Sequence, residues 1–498
     1  MKDRPNFIWI MVDSVRRYHT TGDDRSRLSY MDDFSEQSVE FLNCMTSAPS
    51  TLMSLSASLT GLPAYFLAQN YKDFQFNTDY FETFNSVLKE EGYETNRAVI
   101  MHPEVRIKLK QFDILPKRFW PSGYSHINWF NNQMVLETIK SALSNPEILN
   151  SQKPNFWFID FNCRNDKNIS KRVRQTVELF QNSGYNSENT VFLISSDHGY
   201  PDPSIGINPE YLRRKKMTHD MFLSDDNIMI PFLLKYPGCA EGKKINQLIT
   251  TLDLLPTLFE LLGIKKKSKF DLSGSSLVSI LKGETKREGF LGRCDARWQG
   301  QPNRITAIRS DQYKLVYDHD QESKSFFRVG GDLHPGIDEP LLNSDYEESM
   351  KPFVEYLERT ESQALQLQVE FFLSKLGNKY TLSECNLVFH LDSDQLATYF
   401  KQRTKNLCVG SKKIHIVQFR DDVNFLKRLF RPVVPYSGNY RNNTSLKSKL
   451  LLTIDEVLKS YTFSKAFFKE EPTLVFTYPL FILKRFLGRG EKMPPYND

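Results

Sequence analysis

"PNFIWIMVDSVR", residues 5–16, decides how the rest of the chain is read. Phe7 to Val12 form a continuous apolar run with no polar face, which fits a central strand covered on both sides. Asp13 ends the run. In open α/β sheets ligand chemistry gathers beyond the carboxyl ends of the strands. An acid there is therefore a candidate for more than its ordinary role of capping the next helix.

The same texture recurs downstream. "YFETFNSVLKEEGYETNRAVI" (80–100) reads as a helix, a turn at Gly92 and a strand, and "NFWFIDF" (155–161) as another strand. "VRQTVELFQNSGYNSENTVFLISSDHG" (173–199) gives a helix, a polar turn and a strand ending at Asp197, and "IMIPFLLKYPG" (228–238) supplies a fifth strand. Alternation at this spacing predicts an α/β fold with a mostly parallel central sheet and helices on both faces, over residues 1–290. "ITAIRSDQYKLVYDHDQESKSFFRV" (305–329) reads as two antiparallel strands around a polar turn, and a charged helical stretch follows over 345–375. These define a small antiparallel subdomain, 291–375. Alternation resumes in "NLVFHL", "KKIHIVQF" and "PTLVFTY", so 380–498 is expected to be an additional small α/β domain. It has no glycine-rich phosphate loop and no assigned role. The basic amphipathic tail "LFILKRFLGRGEK" reads as a solvated terminal helix, with a membrane-surface contact as the alternative.

Composition narrows the functional classes. With 498 residues, 40% hydrophobic and 25% charged, the chain is an ordinary globular protein of more than one domain. A net charge of +5 is small for that length and gives no support for nucleic acid as a partner. No apolar run approaches the length of a membrane span. The apolar start is a buried strand rather than a signal peptide, because no small-residue cleavage site follows Asp13. Cys44, Cys163, Cys239, Cys294, Cys385 and Cys408 show no CxxC spacing. Free thiols and a cytoplasmic location are the expectation.

Three stretches carry chemistry. "LISSDHGY" (193–200) places Asp197 and His198 on one loop after a buried strand. Together with Asp13 they offer three ligands for a divalent ion, Zn, Mn, Mg or Ca. "APSTLMSLSASLTGLP" (48–63) is uncharged and crowded with hydroxyls, yet Leu52, Leu55 and Leu59 recur at helical spacing. Ser50, Thr51 and Ser54 then crowd the first turn of a helix, where main-chain N–H groups and the helix dipole suit an anion. A nearby divalent ion would turn one such hydroxyl into a nucleophile. Capping accounts for one of these hydroxyls but not for the cluster. "RRKKMTHDMF" (213–222) adds Lys216 and His219, which a solvated basic loop would also explain.

These stretches, in this order over roughly residues 5–330, resemble the sulfatase branch of the alkaline phosphatase superfamily. "TLMSLSASLTG" matches the segment that starts at the nucleophile and ends in Thr-Gly, which puts Thr51 in the nucleophile position and Ser54 three residues on, beside the substrate. "GYETNRAVIMH" matches the run leading to an active-site histidine, His102. "TTLDLLPTLFELLGI", "DLSGSSLVSIL" and "AIRSDQYKLVYD" follow the later structural segments. The resemblance implies Asp13, Thr51, Asp197 and His198 around a divalent metal, with His102 and Lys216 contacting the anionic group and His219 protonating the leaving group.

The departures from the family pattern bear on the chemistry. Classical sulfatases convert a Cys or Ser followed by x-Pro-Ser-Arg into formylglycine; here the residue is Thr51, and Leu55 stands where the arginine belongs. The paired acids after the first strand are reduced to Asp13-Ser14, the lysine two residues before the histidine is Ile100, and "FIDFNCRND" offers Asn162, Arg164 and Asp166 in place of His-x-Pro. A threonine nucleophile resembles the phosphoethanolamine and phosphoglycerol transferases of the superfamily. The expectation is a metal-dependent hydrolase or transferase acting through Thr51 on a small-molecule or saccharide anionic ester, with phosphodiesters favoured. The alternatives are a formylglycine-free sulfatase acting on a sulfated sugar and a non-catalytic binding module built on the same fold.

Overall fold

The computed structural model describes residues 4–20, 25–64, 83–99, 132–149, 151–163, 166–202, 219–265, 273–297, 304–319, 323–329, 339–341, 346–361, 388–391 and 415–418. The chain divides into two compact units, 1–353 with 491–498, and 354–490. The second unit thus begins inside the helical stretch that the sequence reading included in the 291–375 subdomain.

The first unit is organised around strand β1 (Asn6–Asp13). Seven further strands complete its main sheet: β2 (Val39–Met45), β3 (Glu94–Val99), β4 (Asn155–Asn162), β5 (Thr190–Ser195), β6 (Met229–Ile230), β7 (Phe232–Lys235) and β8 (Lys243–Thr250). Their order is β3-β4-β1-β5-β7-β2-β6, with β8 pairing β2. The pairs β3–β4, β4–β1, β1–β5 and β2–β8 are parallel, whereas β7 and β6 run antiparallel to their neighbours. The mostly parallel sheet expected from the sequence is therefore present, with two strands reversed. Pro231 lies between β6 and β7, so "IMIPFLLKYPG" forms two short strands instead of one. Proline has no N–H to give to a ladder.

Period-2 alternation along β1 sorts its side chains between two helical layers. Ile8, Ile10 and Val12 face a core that also holds Trp157, Ile159 and Phe161 of β4 and Phe192 and Ile194 of β5. Helices α1 (Ser29–Ser35), α4 (Asn132–Leu143) and α5 (Ile169–Asn182) close that core with Phe34, Ile139 and Phe180 among others. On the opposite face Phe7 stacks on Phe156, their ring centroids 5.1 Å apart, and both meet Phe84 of α3 (Phe84–Glu90) edge-on. Phe84 also stacks on Phe259 of α6 (Leu254–Leu261). Each aromatic buried this way contributes on the order of 2–3 kcal/mol. Helix α2 (Thr51–Thr60) runs to Gly61, whose φ of 67° supplies the left-handed C-terminal turn.

The antiparallel sheet has the order β13-β12-β11-β10-β9. Its strands are β9 (Gly292–Arg297), β10 (Arg304–Arg309), β11 (Tyr313–Asp318), β12 (Ser323–Arg328) and β13 (Glu339–Pro340). The stretch read as two strands holds three, β10 to β12. A buried ionic triad ties this sheet to the segment before β6. Arg309 gives three N–H contacts to the Asp225 carboxylate at 2.9 to 3.2 Å, and Lys314 Nζ donates to Asp225 Oδ1 at 2.9 Å. In the second unit, β14 (Val388–Leu391) and β15 (His415–Gln418) form a parallel pair.

Burial opposes the charge of Asp225, but Arg309 and Lys314 outweigh it and hold the carboxyl well below the usual carboxylate range. A depressed folded-state pKa contributes stability that is present above the unfolded value and lost as pH falls. Asp225→Asn should therefore destabilise the first unit by about 3 kcal/mol at neutral pH, since it strands two buried cations. The difference in denaturation midpoint between the variant and wild type should narrow below about pH 4, where the Asp225 carboxyl of the unfolded chain takes up a proton while the folded one is still ionised. Urea melts at pH 7 and at pH 3 check both statements.

Candidate active site

Asp13, Asp197 and His198 come together because three adjacent parallel strands end in register. Asp13 is paired across the ladder with Asn162 at the end of β4, and Met11 with Ser195 at the end of β5. Asp197 and His198 follow two and three residues later. One ligand atom from each of Asp13, Asp197 and His198 lies within 4.8 Å of the others. His198 Nε2 is 3.7 Å from Asp13 Oδ1 and 3.5 Å from Asp197 Oδ2. Thr51, the first residue of α2, points into the same space. Its hydroxyl is 3.3 Å from His198 Nε2 and 3.5 Å from Asp13 Oδ1.

The loops that carry these groups are fixed by hydrogen bonds. After Asp13 the chain turns through Ser14 at φ 63°, an unusual conformation for a residue with a side chain. The turn lets the Ser14 amide donate to Asp197 Oδ1 at 3.1 Å and the Ser14 hydroxyl donate to Asp13 Oδ1 at 2.8 Å. Asn162 Nδ2 donates to Asp13 Oδ2 at 2.8 Å. Beneath the site, the hydroxyls of Thr46 and Ser54 lie 2.6 and 2.7 Å from the main-chain carbonyl of Asp197. Ser54 was expected beside the substrate. It is fully buried instead and braces the 197–198 loop, because it lies one turn further along the same face of α2 as Thr51, underneath that loop. Gly199 permits this packing, since a Cβ there would lie 2.1 Å from the Asp226 carbonyl oxygen.

The donor set fits a divalent cation. The Gly199 carbonyl can only accept, so the 2.7 Å contact from His198 Nδ1 places the proton on Nδ1 and leaves Nε2 with a free lone pair. Asp197 Oδ2 is buried and has no hydrogen-bond partner among the described residues. Burial and the charge of Asp197 push the Asp13 carboxyl up, as expected for two desolvated acids facing each other. Asp160 lies one pleat behind Asn162 on β4. Burial, and then the charges of Asp13 and Asp197, push its carboxyl well above the usual range.

His219, in a short 3-10 turn (His219–Met221), reaches the same site. Its ring packs on that of His198, with centroids 4.9 Å apart and planes inclined by 27°. His219 Nε2 is 2.9 Å from Asp220 Oδ1. Burial opposes protonation of His219, but Asp220 outweighs it and raises the pKa. His102 and Lys216 lie outside the described residues, as do Ile100 and Arg164. Sequence reasoning mentioned Asn162 only as an unassigned residue. Its signal was its position at a strand end, level with Asp13.

The chain is similar to known proteins in two segments and in its fold. Residues 5–106 match the family described as Sulfatase, and residues 216–357 match the C-terminal domain of N-sulphoglucosamine sulphohydrolase. An ulvan-active sulfatase of Formosa agariphila is 33% identical over 147 residues, which is 28% of this chain and 26% of that protein. The chain thus spans about a quarter of that relative's length. The structure of a 2-O GAG sulfatase superposes with a TM-score of 0.55 at 17% identity, covering 73% of this chain and 93% of the other. That of a phosphonate monoester hydrolase of Agrobacterium radiobacter gives 0.53 at 13%, covering 72% and 96%. The chain thus shares the fold of the 2-O GAG sulfatase and of the phosphonate monoester hydrolase. Its two matched segments, 5–106 and 216–357, are both similar to sulfatase sequences. Among the described residues no helix is long and apolar enough to cross a membrane, and Cys44, Cys163, Cys239 and Cys294 are free thiols.

If these groups hold a divalent ion, Asn162 matters through the orientation of Asp13. Asn162→Ala should then leave the melting temperature nearly unchanged while weakening Mn²⁺ binding about 10–100-fold, the usual effect of removing a ligand's hydrogen-bond partner. Asp197→Asn should abolish stoichiometric binding. Isothermal titration of the metal-stripped protein with Mn²⁺ measures both.

Proposed function

We propose that the protein is a metal-dependent hydrolase or transferase that cleaves a phosphodiester, with Thr51 as the nucleophile. The observation that carries this reading is the convergence of a partly exposed hydroxyl, at the start of a helix, on two carboxylates and an imidazole. Asp13, Asp197 and His198 would hold the ion, with Thr51 beside them. When bound, a divalent ion lowers the pKa of a neighbouring hydroxyl and offsets negative charge on the group under attack.

The remaining work falls to the chain. The first amides of α2 offer N–H groups and a positive dipole end to the anionic group; Ser50 does not cap them with its side chain. Thr51 Oγ1 loses its proton to solvent and attacks phosphorus. The bond from phosphorus to the departing alcohol oxygen breaks, and His219 delivers a proton to that oxygen from Nδ1. Asp220 keeps the proton of Nε2 in place throughout. In the second step water or an acceptor hydroxyl attacks the phosphothreonine, and Oγ1 departs and regains a proton. Lys216 and His102 are the candidates for further contacts to the anionic oxygens.

The preference for phosphorus rests on how the covalent step is resolved. Formylglycine releases sulfate by elimination from its hydrate, a route that an unmodified threonine lacks. A phosphothreonine is open to attack at phosphorus. The rival reading is a sulfate ester of a sugar, and the ulvan-active and GAG sulfatases among the relatives favour it.

One set of measurements separates the readings. Thr51→Ala should reduce turnover to background while keeping the fold, since removing a side chain at a helix start costs only about 1 kcal/mol. Ser50→Ala should be far milder, and the intact mass should show an unmodified threonine. The kcat/KM for a nitrophenyl phosphodiester should exceed that for nitrophenyl sulfate. The reverse order would establish the sulfatase alternative, and loss of activity only in Ser50→Ala would displace Thr51.

A further inference from the structure

We infer that Tyr200 is a positioning residue for His219, clamped in turn by Arg25, so that the ring of His219 meets the leaving group at a fixed angle. The inference rests on the reading of His219 as the group that protonates the departing oxygen.

The observation is a run of side-chain contacts, from a guanidinium through two rings, that ends on His198. The guanidinium carbon of Arg25 lies 3.1 Å from the centroid of the Tyr200 ring. Tyr200 and His219 have centroids 5.4 Å apart with planes inclined by 36°. His219 and His198 are 4.9 Å apart at 27°. Two flat neighbours thus set the plane of the His219 ring, and the 2.9 Å contact from Nε2 to Asp220 sets its rotation within that plane. Nδ1 is then the atom left to act. It is buried and has no hydrogen-bond partner among the described residues.

The main chain brings the parts of this run into range without completing the alignment. Gly199 N donates to the Asn227 carbonyl at 2.8 Å and Tyr200 N donates to the Asp226 carbonyl at 3.2 Å. From the same segment, Asn227 Nδ2 donates to the carbonyls of His219 and Phe222, both at 2.7 Å. Residues 226–227 therefore anchor both the Tyr200 loop and the His219 turn. An imidazole on a short turn still has two side-chain torsions free. A ring face at Tyr200 removes that freedom, and Arg25 on the Tyr200 ring restrains Tyr200 by a cation–π contact. The restraint is exerted by the faces of the Tyr200 ring, so a ring without the hydroxyl should suffice.

The test uses two substrates that differ only in the leaving group. An ester of p-nitrophenol departs without help, whereas the matching benzyl ester needs a proton. Phosphodiesters serve if the wild type turns them over, and the matched sulfate esters serve otherwise. His219→Gln is the reference and should reduce kcat about 100-fold on the benzyl ester and only a few-fold on the nitrophenyl ester, in line with the usual worth of general acid catalysis. Tyr200→Ala should show the same selective loss, Tyr200→Leu should repeat it if the alanine variant folds poorly, and Tyr200→Phe should restore wild-type rates on both substrates. Arg25→Met should give a smaller loss of the same selective kind. If His219→Gln lowers both substrates equally, the proton-donor reading fails and this inference falls with it. If His219→Gln is selective but Tyr200→Ala and Tyr200→Leu slow both esters equally, Tyr200 is merely structural and the inference alone is overturned.

Discussion

The site depends on the register of β1 between β4 and β5. Because all three run parallel and end together, Asp13, Asn162 and the loop of Asp197 and His198 share one sheet edge without any long-range rearrangement. A slip of one residue on β1 would turn Asp13 toward the α4–α5 layer and bring Ile8, Ile10 and Val12 to the face of Phe84. The register is held by packing on both faces: Trp157, Phe161 and Phe192 on one side and the Phe7, Phe156 and Phe84 group on the other. The chemical edge is thus specified by hydrophobic groups remote from it.

A second level of constraint is polar. Two acids held within reach of each other are unfavourable, and the protein offsets this with the Ser14 amide, the Asn162 side chain and the Thr46 and Ser54 hydroxyls around the 197–198 loop. The Ser14 amide and the Asn162 side chain orient the carboxylates, the two hydroxyls hold the Asp197 main chain, and Asp197 Oδ2 has no hydrogen-bond partner among the described residues. A buried oxygen without a partner is costly, and a cation is the natural complement. The dense hydroxyls of α2 follow the same logic. Only Thr51 faces the site, while Ser54, Ser58 and Thr60 satisfy carbonyls inside the protein.

The parts of this arrangement that were legible in the sequence are those whose signal is local. Apolar runs with an acid at the end gave β1, β4 and β5 with Asp13 and Asp197, and the helical leucines gave α2 with Thr51 at its start. Strand β2 was not legible, although it is buried and pairs with three others. Its sequence, "VEFLNCM", carries Glu40 and Asn43, which look like surface residues until Arg27, 2.9 Å from Glu40, and Asn246, 2.9 Å from Asn43, are placed beside them. Strand β8, "KKINQLIT", was hidden in the same way by its lysines. The role of Ser54 depended on the rotation of α2 against the Asp197 carbonyl, and the stack on His219 joins residues far apart in the chain. Neither leaves a trace in local spacing.

Gly199 has a consequence for how this protein can vary. The contact that forbids a side chain there is with the Asp226 carbonyl, and the amides of residues 199 and 200 pair with that same segment. A substitution at 199 would therefore push apart the loop bearing two acidic and imidazole ligands and the turn bearing His219 in a single stroke. Adaptation toward new substrates has to proceed around this point.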